Sequence, residues 1–353
     1  MATNATPVES LSFTPTSEVI LNRSAHLNRR KVLGYGLGSA TSLALPTWVW
    51  AQNASTYPSR PIKILVPYAP GGATDIIARL LSIKLADALG QGVVVENRPG
   101  GSGSIALEAA IKSPADGHTL FVGNVTTNAI NETTIGTVKP SRDLAGITKL
   151  VEIPHLLAVS PQMPSQFSEF IELVKSQPNR HNYGSAGLGS YPHLDAIVFT
   201  NKAHLQMVHV PYKNGAAGII PALLSNEIQV SFLNMSSVIE HLKAGKIKAI
   251  ATATTTRLAE LPQVPTLTEL GYPGVGTNAW QAIFAPAATP KPILNKLFSV
   301  ITQVMQAPDV TERLQKGMMT LALSSSPQEW SDSVKTQTAQ WAEVVKANQI
   351  KME

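Results

Sequence analysis

Five segments of the chain combine Gly, Ser, Thr and Asn in loops that end short apolar runs and open helices. They are Pro67–Asp75, Gly123–Asn131, Gly184–Ser190 running on to His193, Val210–Gly215 and Phe232–Asn234. The chemistry such loops offer is reversible capture of an anion. In the first, Gly71 and Gly72 let the backbone approach a ligand closely, and the N–H groups of the helical turn that follows have no partner within the helix. The helix dipole adds to the attraction for negative charge. Thr74 or Asp75 could equally serve as a plain helix cap, and capping and binding can coexist. Asp75 itself is a poor direct partner for an anion.

No arrangement of residues calls for catalysis. The chain has no His-Glu-x-x-His, no G-x-S-x-G elbow and no Walker lysine loop. Gly34-Tyr35-Gly36-Leu37-Gly38 lies inside an apparent export signal. Gly184-Ser185-Ala186-Gly187-Leu188-Gly189 lacks the order of a dinucleotide fingerprint. The eight histidines show no metal-ligand spacing, and there is no cysteine. Zinc–thiolate sites, iron–sulfur clusters, thiol catalysis and disulfides are therefore excluded. We expect no cofactor, no metal and no enzyme.

The elements that must hold these loops alternate between strand and helix. Strands are expected at Ile62–Val66, Val93–Val95, Thr119–Val122, Leu156–Val159, Asn182–Ser185, Met207–Val210, Ile228–Leu233, Ile247–Ala253 and Ala282–Ala285. Helical spacing marks Ala73–Leu89, where Ile76, Ile77, Leu80, Leu81 and Leu85 recur before Gly90. It returns at Ile105–Lys112, Phe167–Lys175, Pro192–Asn201, Ile219–Leu224, Pro292–Met305 and Pro327–Lys346. This alternation predicts an α/β fold with mainly parallel sheets covered by helices on both faces. Two lobes follow from the length, since about 150 residues make a domain. Ligands in such folds bind beyond the carboxyl ends of strands, where the five loops converge.

The 353 residues include 28 Lys+Arg and 23 Asp+Glu, only 14% charged in all. An ordinary domain carries about 25%. Disorder is excluded for most of the chain. A formal charge of +5 without a basic stripe excludes nucleic acid as a partner. Asn28-Arg29-Arg30-Lys31 precedes a weakly apolar stretch with Gly34, Gly36, Gly38 and Pro46, ending Val49-Trp50-Ala51. This reads as a twin-arginine export signal over 1–51, cleaved after about Ala51. An uncleaved membrane anchor fits less well, because about 20 strongly apolar residues are needed to span a bilayer. Cleavage removes Arg23, Arg29, Arg30, Lys31, Glu9 and Glu18, leaving a net charge of +3. No later run approaches a membrane span, so the mature chain is expected in the periplasm as a monomer. Its lobes are expected over 52–153 with 278–353, and over 154–277.

Further segments carry a family resemblance. They include Tyr57–Ile62, the Pro67–Arg79 pattern P-Y-x-P-G-G-x-T-D-x-x-A-R, Val95–Gly103 and Pro114–Leu120. In the second half are His193-Leu194, Val208–Lys213, Lys243–Lys246, Leu261–Thr266 and Trp280 through Pro290. Together they resemble the Bug receptors, the periplasmic solute-binding components of tripartite tricarboxylate transporters. The resemblance implies a Venus-flytrap fold that captures a small carboxylic acid for a membrane permease, or reports it to a sensor protein. It implies that the Pro67–Asp75 and Gly184–His193 loops face each other across a cleft. Hydroxyls of Thr74, Ser185 and Ser190 and the N–H groups of Gly72, Ala73 and Gly189 are the expected ligand contacts. Tyr68, Gly71, Thr127, Asn131, His193, Tyr212 and Asn234 complete the expected ligand-binding set. Three departures bear on the ligand. The family commonly has His at Asn128, Glu at Ile197 and Asp at Leu233. Loss of a carboxylate at Leu233 removes a partner for a ligand amine, or is a packing change. The competing class is an exported enzyme using the same cleft.

Overall fold

The computed structural model describes residues 57–276 and 279–348. The export signal expected over 1–51 lies outside the described residues. β1 (Ile62–Val66) leads into α1 (Ala73–Leu89), which ends where Gly90, at φ +64°, donates its N–H to Ala86 O. Glycine reaches that left-handed conformation without steric cost, so the helix stops there. Then come β2 (Val93–Asn97), α2 (Ser104–Ile111), β3 (Thr119–Asn124), α3 (Asn131–Thr134), α4 (Pro140–Asp143) and β4 (Leu144–Ile153). A π-helical turn, Thr126–Ile130, joins β3 to α3. After Pro154 the chain enters β5 (His155–Val159), α5 (Phe167–Ser176), β6 (Asn182–Ser185), α6 (Tyr191–Ala203) and β7 (Val208–Pro211). α7 (Ala216–Leu224), β8 (Val230–Asn234), α8 (Met235–Lys243) and β9 (Lys248–Thr252) follow. The last elements are β10 (Ala279–Pro286), α9 (Lys291–Met305), α10 (Pro308–Lys316), β11 (Thr320–Leu321) and α11 (Pro327–Ala347).

Two sheets result, with strand orders β11-β4-β10-β3-β1-β2 and β7-β6-β8-β5-β9. Both are mixed, where the sequence predicts mainly parallel sheets. β1 runs parallel to β2 and β3, but β10 is antiparallel to β3 and β4, and β11 to β4. In the second sheet β6 is parallel to β7 and β8, whereas β5 is antiparallel to β8 and β9. The reason lies in the connections. Parallel neighbours come from strand–helix–strand crossovers. β5 and β10 instead enter their sheets from the other lobe, β5 straight after Pro154, and no crossover helix dictates their direction.

Strand alternation sends side chains to both faces. In β1, Ile64 and Val66 join α1, α9 and α10 in one core, while Leu65 joins Phe121, Leu107, Trp280, Phe284 and Trp330 on the opposite face. In β5, Leu157 and Val159 pack with α5 and α6, and Leu156 and Ala158 pack with α7 and α8. Each lobe is thus a sheet between helical layers, giving a two-lobed α/β fold. Both sheets belong to one compact unit, Ala51–Glu353. Among the described residues no helix is long and apolar enough to cross a membrane.

Candidate functional site

All five loops contribute to a single cavity of about 70 Å³ between the two sheets. The first supplies Tyr68, Gly72, Ala73 and Thr74, and the second Asn124, Val125 and Thr126. The other lobe supplies Ala186, Asn214, Gly215, Phe232, Leu233 and Asn234. Direct bonds join the lobes around it. Ala73 N–H donates to Ser237 Oγ (3.2 Å), Tyr191 N–H to Thr126 Oγ1 (2.9 Å), and Ser102 Oγ–H to Leu188 O (2.7 Å). Gly215, at φ +61°, lets its loop pass beside the Tyr68 ring, which a Cβ would meet at 3.5 Å.

The start of α1 is open toward this cavity. Gly72 gives no side-chain cap, and the first helical bond runs from Ile76 N–H to Gly72 O. The N–H groups of Ala73, Thr74 and Asp75 precede it, outside the helical ladder, and of these Ala73 N–H is engaged by Ser237 Oγ of the other lobe. Asp75 is turned away and tied down. Its Oδ2 accepts from Gly71 N–H (3.0 Å) and Arg79 Nε (2.9 Å), its Oδ1 from Asn97 Nδ2 (2.9 Å). Burial opposes its charge, but the bonds from Arg79, Asn97 and Gly71 together hold the carboxyl below its ordinary value. Asn97 Nδ2 also donates to Tyr68 O (2.9 Å), which fixes the loop that carries the Tyr68 ring. Burial pushes the Tyr68 phenol up, against hydrogen bonds from Asn124 and Thr126.

Thr74 Oγ1 donates to Gln281 Oε1 at 2.8 Å, and both residues are buried, 3% and 1% exposed. Gln281 stands on β10, and its Nε2 has no partner. Asn234 Oδ1, at the end of β8, is likewise unpaired. Buried polar groups are normally satisfied, so orphan atoms in a cavity wall mark where a ligand or water binds. None of the lining residues is Lys, Arg, Asp or Glu. The ionisable imidazole that lines the cavity belongs to His155, whose Nδ1 lies 2.8 Å from Asp195 Oδ2. Burial raises the Asp195 carboxyl, and the hydrogen bond with His155 works the other way.

Five of the residues predicted from sequence, Tyr68, Gly72, Ala73, Thr74 and Asn234, line this cavity. The other eight do not, and most shape its walls. Gly71 orients Asp75. Thr127 exchanges hydrogen bonds with Asn124 (3.0 and 3.2 Å) and donates to Asn128 Oδ1 (2.7 Å), while Asn131 Nδ2 donates to Ser102 O (3.1 Å). Ser185 Oγ donates to Gly187 O (3.0 Å) and lies 2.7 Å from His209 Nε2. Ser190 Oγ also donates to Gly187 O (2.6 Å), and Gly189 N–H donates to His193 Nδ1 (3.0 Å). His193 and His209 stack at 4.1 Å; burial lowers them to about 3 and about 4. Tyr212 Oη donates to Glu227 Oε1 (2.8 Å).

Sequence reasoning missed Gln281, His155 and Ser237. Gln281 had a readable signal, a lone amide in the apolar run Ala279–Pro286. His155 had a weaker one, a histidine directly after Pro154 in an otherwise apolar strand. Among the described residues no three His, Asp or Glu side chains converge as a metal site.

Residues 77–350 match the model of the tripartite tricarboxylate transporter family receptor. BugT of Bordetella pertussis is 31% identical over 304 residues, 85% of this chain and 93% of its own. Rpa4515 of Rhodopseudomonas palustris, solved with adipate, superposes with a TM-score of 0.79 at 30% identity, covering 83% of this chain and 99% of its own. MatC of the same organism, solved with bound malate, gives 0.78 at 30% identity, covering 82% and 100%. The chain belongs to the tripartite tricarboxylate transporter receptor family, the Bug receptors.

Proposed function

We propose that this receptor works in the periplasm, where its two lobes close on a small carboxylic acid and present it to a membrane permease or a sensor protein. The observation that carries this reading is the meeting, in one cavity without acidic side chains, of the open first turn of α1 and the unpartnered Nε2 of Gln281. A carboxylate there accepts charge-assisted hydrogen bonds from N–H groups and replaces water lost on closure. The malate and adipate bound by relatives about 30% identical support a dicarboxylate as the class.

In this reading the ligand takes over the Ala73 N–H from Ser237 Oγ and touches Thr74 N–H, Gln281 and Asn234, with Tyr68 and Gly72 packed against it. Gly71, Thr127, Asn131, Ser185, Gly189, Ser190, His193 and Tyr212 hold the loops in place. Residues 52–153 with 278–353 form one lobe and 154–277 the other, and 1–51 are removed on export. Closure is a population shift set by the ligand's higher affinity for the closed state, and the receptor acts as a monomer without cofactor, metal or catalysis. A thermal-shift screen of malate, adipate, amino acids and aromatic acids tests the reading, because binding raises apparent stability by mass action. At least one acid should stabilise the protein. A well-folded protein that responds to none would overturn the proposal.

A further inference from the structure

The cavity has a second polar pole, made by His155 and Asp195. His155 follows Pro154, where the chain first passes between the sheets, and its carbonyl accepts from Ala253 N–H at 2.8 Å. Its ring is 1% exposed and packed between Tyr191, stacked at 4.5 Å, and Phe232, at 5.6 Å. Nδ1 meets the carboxylate of Asp195, which is 3% exposed on α6. This bond fixes both the rotamer and the tautomer, because a carboxylate accepts only from a protonated Nδ1. Among the described residues Nε2 has no hydrogen-bond partner in the protein, and the residue lines the cavity.

A buried polar pair is a poor way to stabilise a fold, since apolar residues of similar volume do as well or better. The pair therefore calls for another task. We infer that His155, positioned by Asp195, is the specificity residue that holds a second anionic group of the ligand, so that the cleft selects small dicarboxylates over monocarboxylates and amino acids. This rests on the carboxylate-receptor reading above. One ligand carboxylate occupies the pole made by α1 and Gln281, and the other carboxyl group is held at Nε2 through a proton taken up with the ligand. Leu233 lines the same cavity and leaves an ammonium group without a carboxylate partner. Lys149 and Glu152, which share a neighbouring hollow with Asp195, are paired with each other at 2.6 Å and take no part.

Titration calorimetry on the full chain with adipate, hexanoate and glutamate tests this. The wild type should bind adipate at least about tenfold tighter than hexanoate or glutamate, the worth of one charge-assisted bond. His155→Asn and the isosteric Asp195→Asn should each cut that preference to about threefold or less while leaving hexanoate affinity within about twofold. Hexanoate binding also reports that each variant is folded. Equal affinity of the wild type for adipate and hexanoate would overturn the inference while sparing the receptor reading. So would a preference unchanged in both variants, or a parallel loss of both ligands, which indicates a structural role only. Failure of the folded wild type to bind any carboxylate would overturn both.

Discussion

Thr74→Val puts the polar wall that one lobe presents to the cavity under direct test. The substitution keeps the shape of the side chain and removes one hydroxyl. That hydroxyl donates to Gln281 Oε1 at 2.8 Å, and the two residues are 3% and 1% exposed. Gln281 Nε2 already lacks a partner, and the variant leaves the entire amide unpaired. An unsatisfied buried acceptor costs about 1–3 kcal/mol. For a unit of this size each kcal/mol moves Tm by about 2–4 °C, so the melting temperature should fall by about 2–12 °C. The freed amide also loses its aim at the ligand, which should weaken malate or adipate binding about tenfold. Thermal unfolding and calorimetry read the two effects, and Thr74→Ser, which restores the hydroxyl, should recover most of each. A valine variant with wild-type melting temperature and affinity would refute the reasoning.

Gly123→Ala places a Cβ 1.9 Å from Asn128 Oδ1 and 2.7 Å from the Phe121 ring, both in fully buried surroundings. It should cost about 1–3 kcal/mol in urea unfolding, and an unchanged midpoint would contradict the packing described. Leu233→Asp puts a carboxylate into the cavity wall, so acid ligands should bind at least about tenfold more weakly by like-charge repulsion. Undiminished adipate affinity would place the ligand elsewhere. Burial holds His193 and His209 at about 3 and about 4, below the ordinary histidine value of 6.5. The unfolded chain therefore binds more protons than the folded one between those values and 6.5, and stability should decline as pH falls through that window. His209→Gln should flatten the decline, and an identical pH profile of Tm would argue against the stacked neutral pair.

Legibility in the sequence followed local punctuation. α1 could be bounded to the residue because Gly72 and Gly90 bracket an unbroken helical stripe. β4 escaped notice because Thr148, Lys149 and Glu152 interrupt its apolar character, although it is paired on both sides in the interior of its sheet. The turn Thr126–Ile130 reads as a solvated loop, yet Thr127, Asn128 and Asn131 are fully buried. Thr127 Oγ1, Asn128 Oδ1 and Asn131 Nδ2 are satisfied by Asn124, Ser102 and one another, while Asn128 Nδ2 and Asn131 Oδ1 stay unpaired, a tertiary arrangement with no local signature. The site divided along the same line. Loops that open helices could be found by composition, and all five meet at one cavity. Which atom of each loop faces inward depends on how the lobes meet. Ser185, Ser190 and His193 therefore bond within their own lobe, and Gln281 and His155, carried on the strands next to the two crossings, went unseen.

A crystal structure of the protein grown with adipate tests the central claim most directly. The account predicts one carboxylate within hydrogen-bond distance of the Ala73 or Thr74 N–H and of Gln281 Nε2, between lobes joined as described. Adipate seated outside this cavity, or a carboxylate in it that contacts neither α1 nor Gln281, would contradict it.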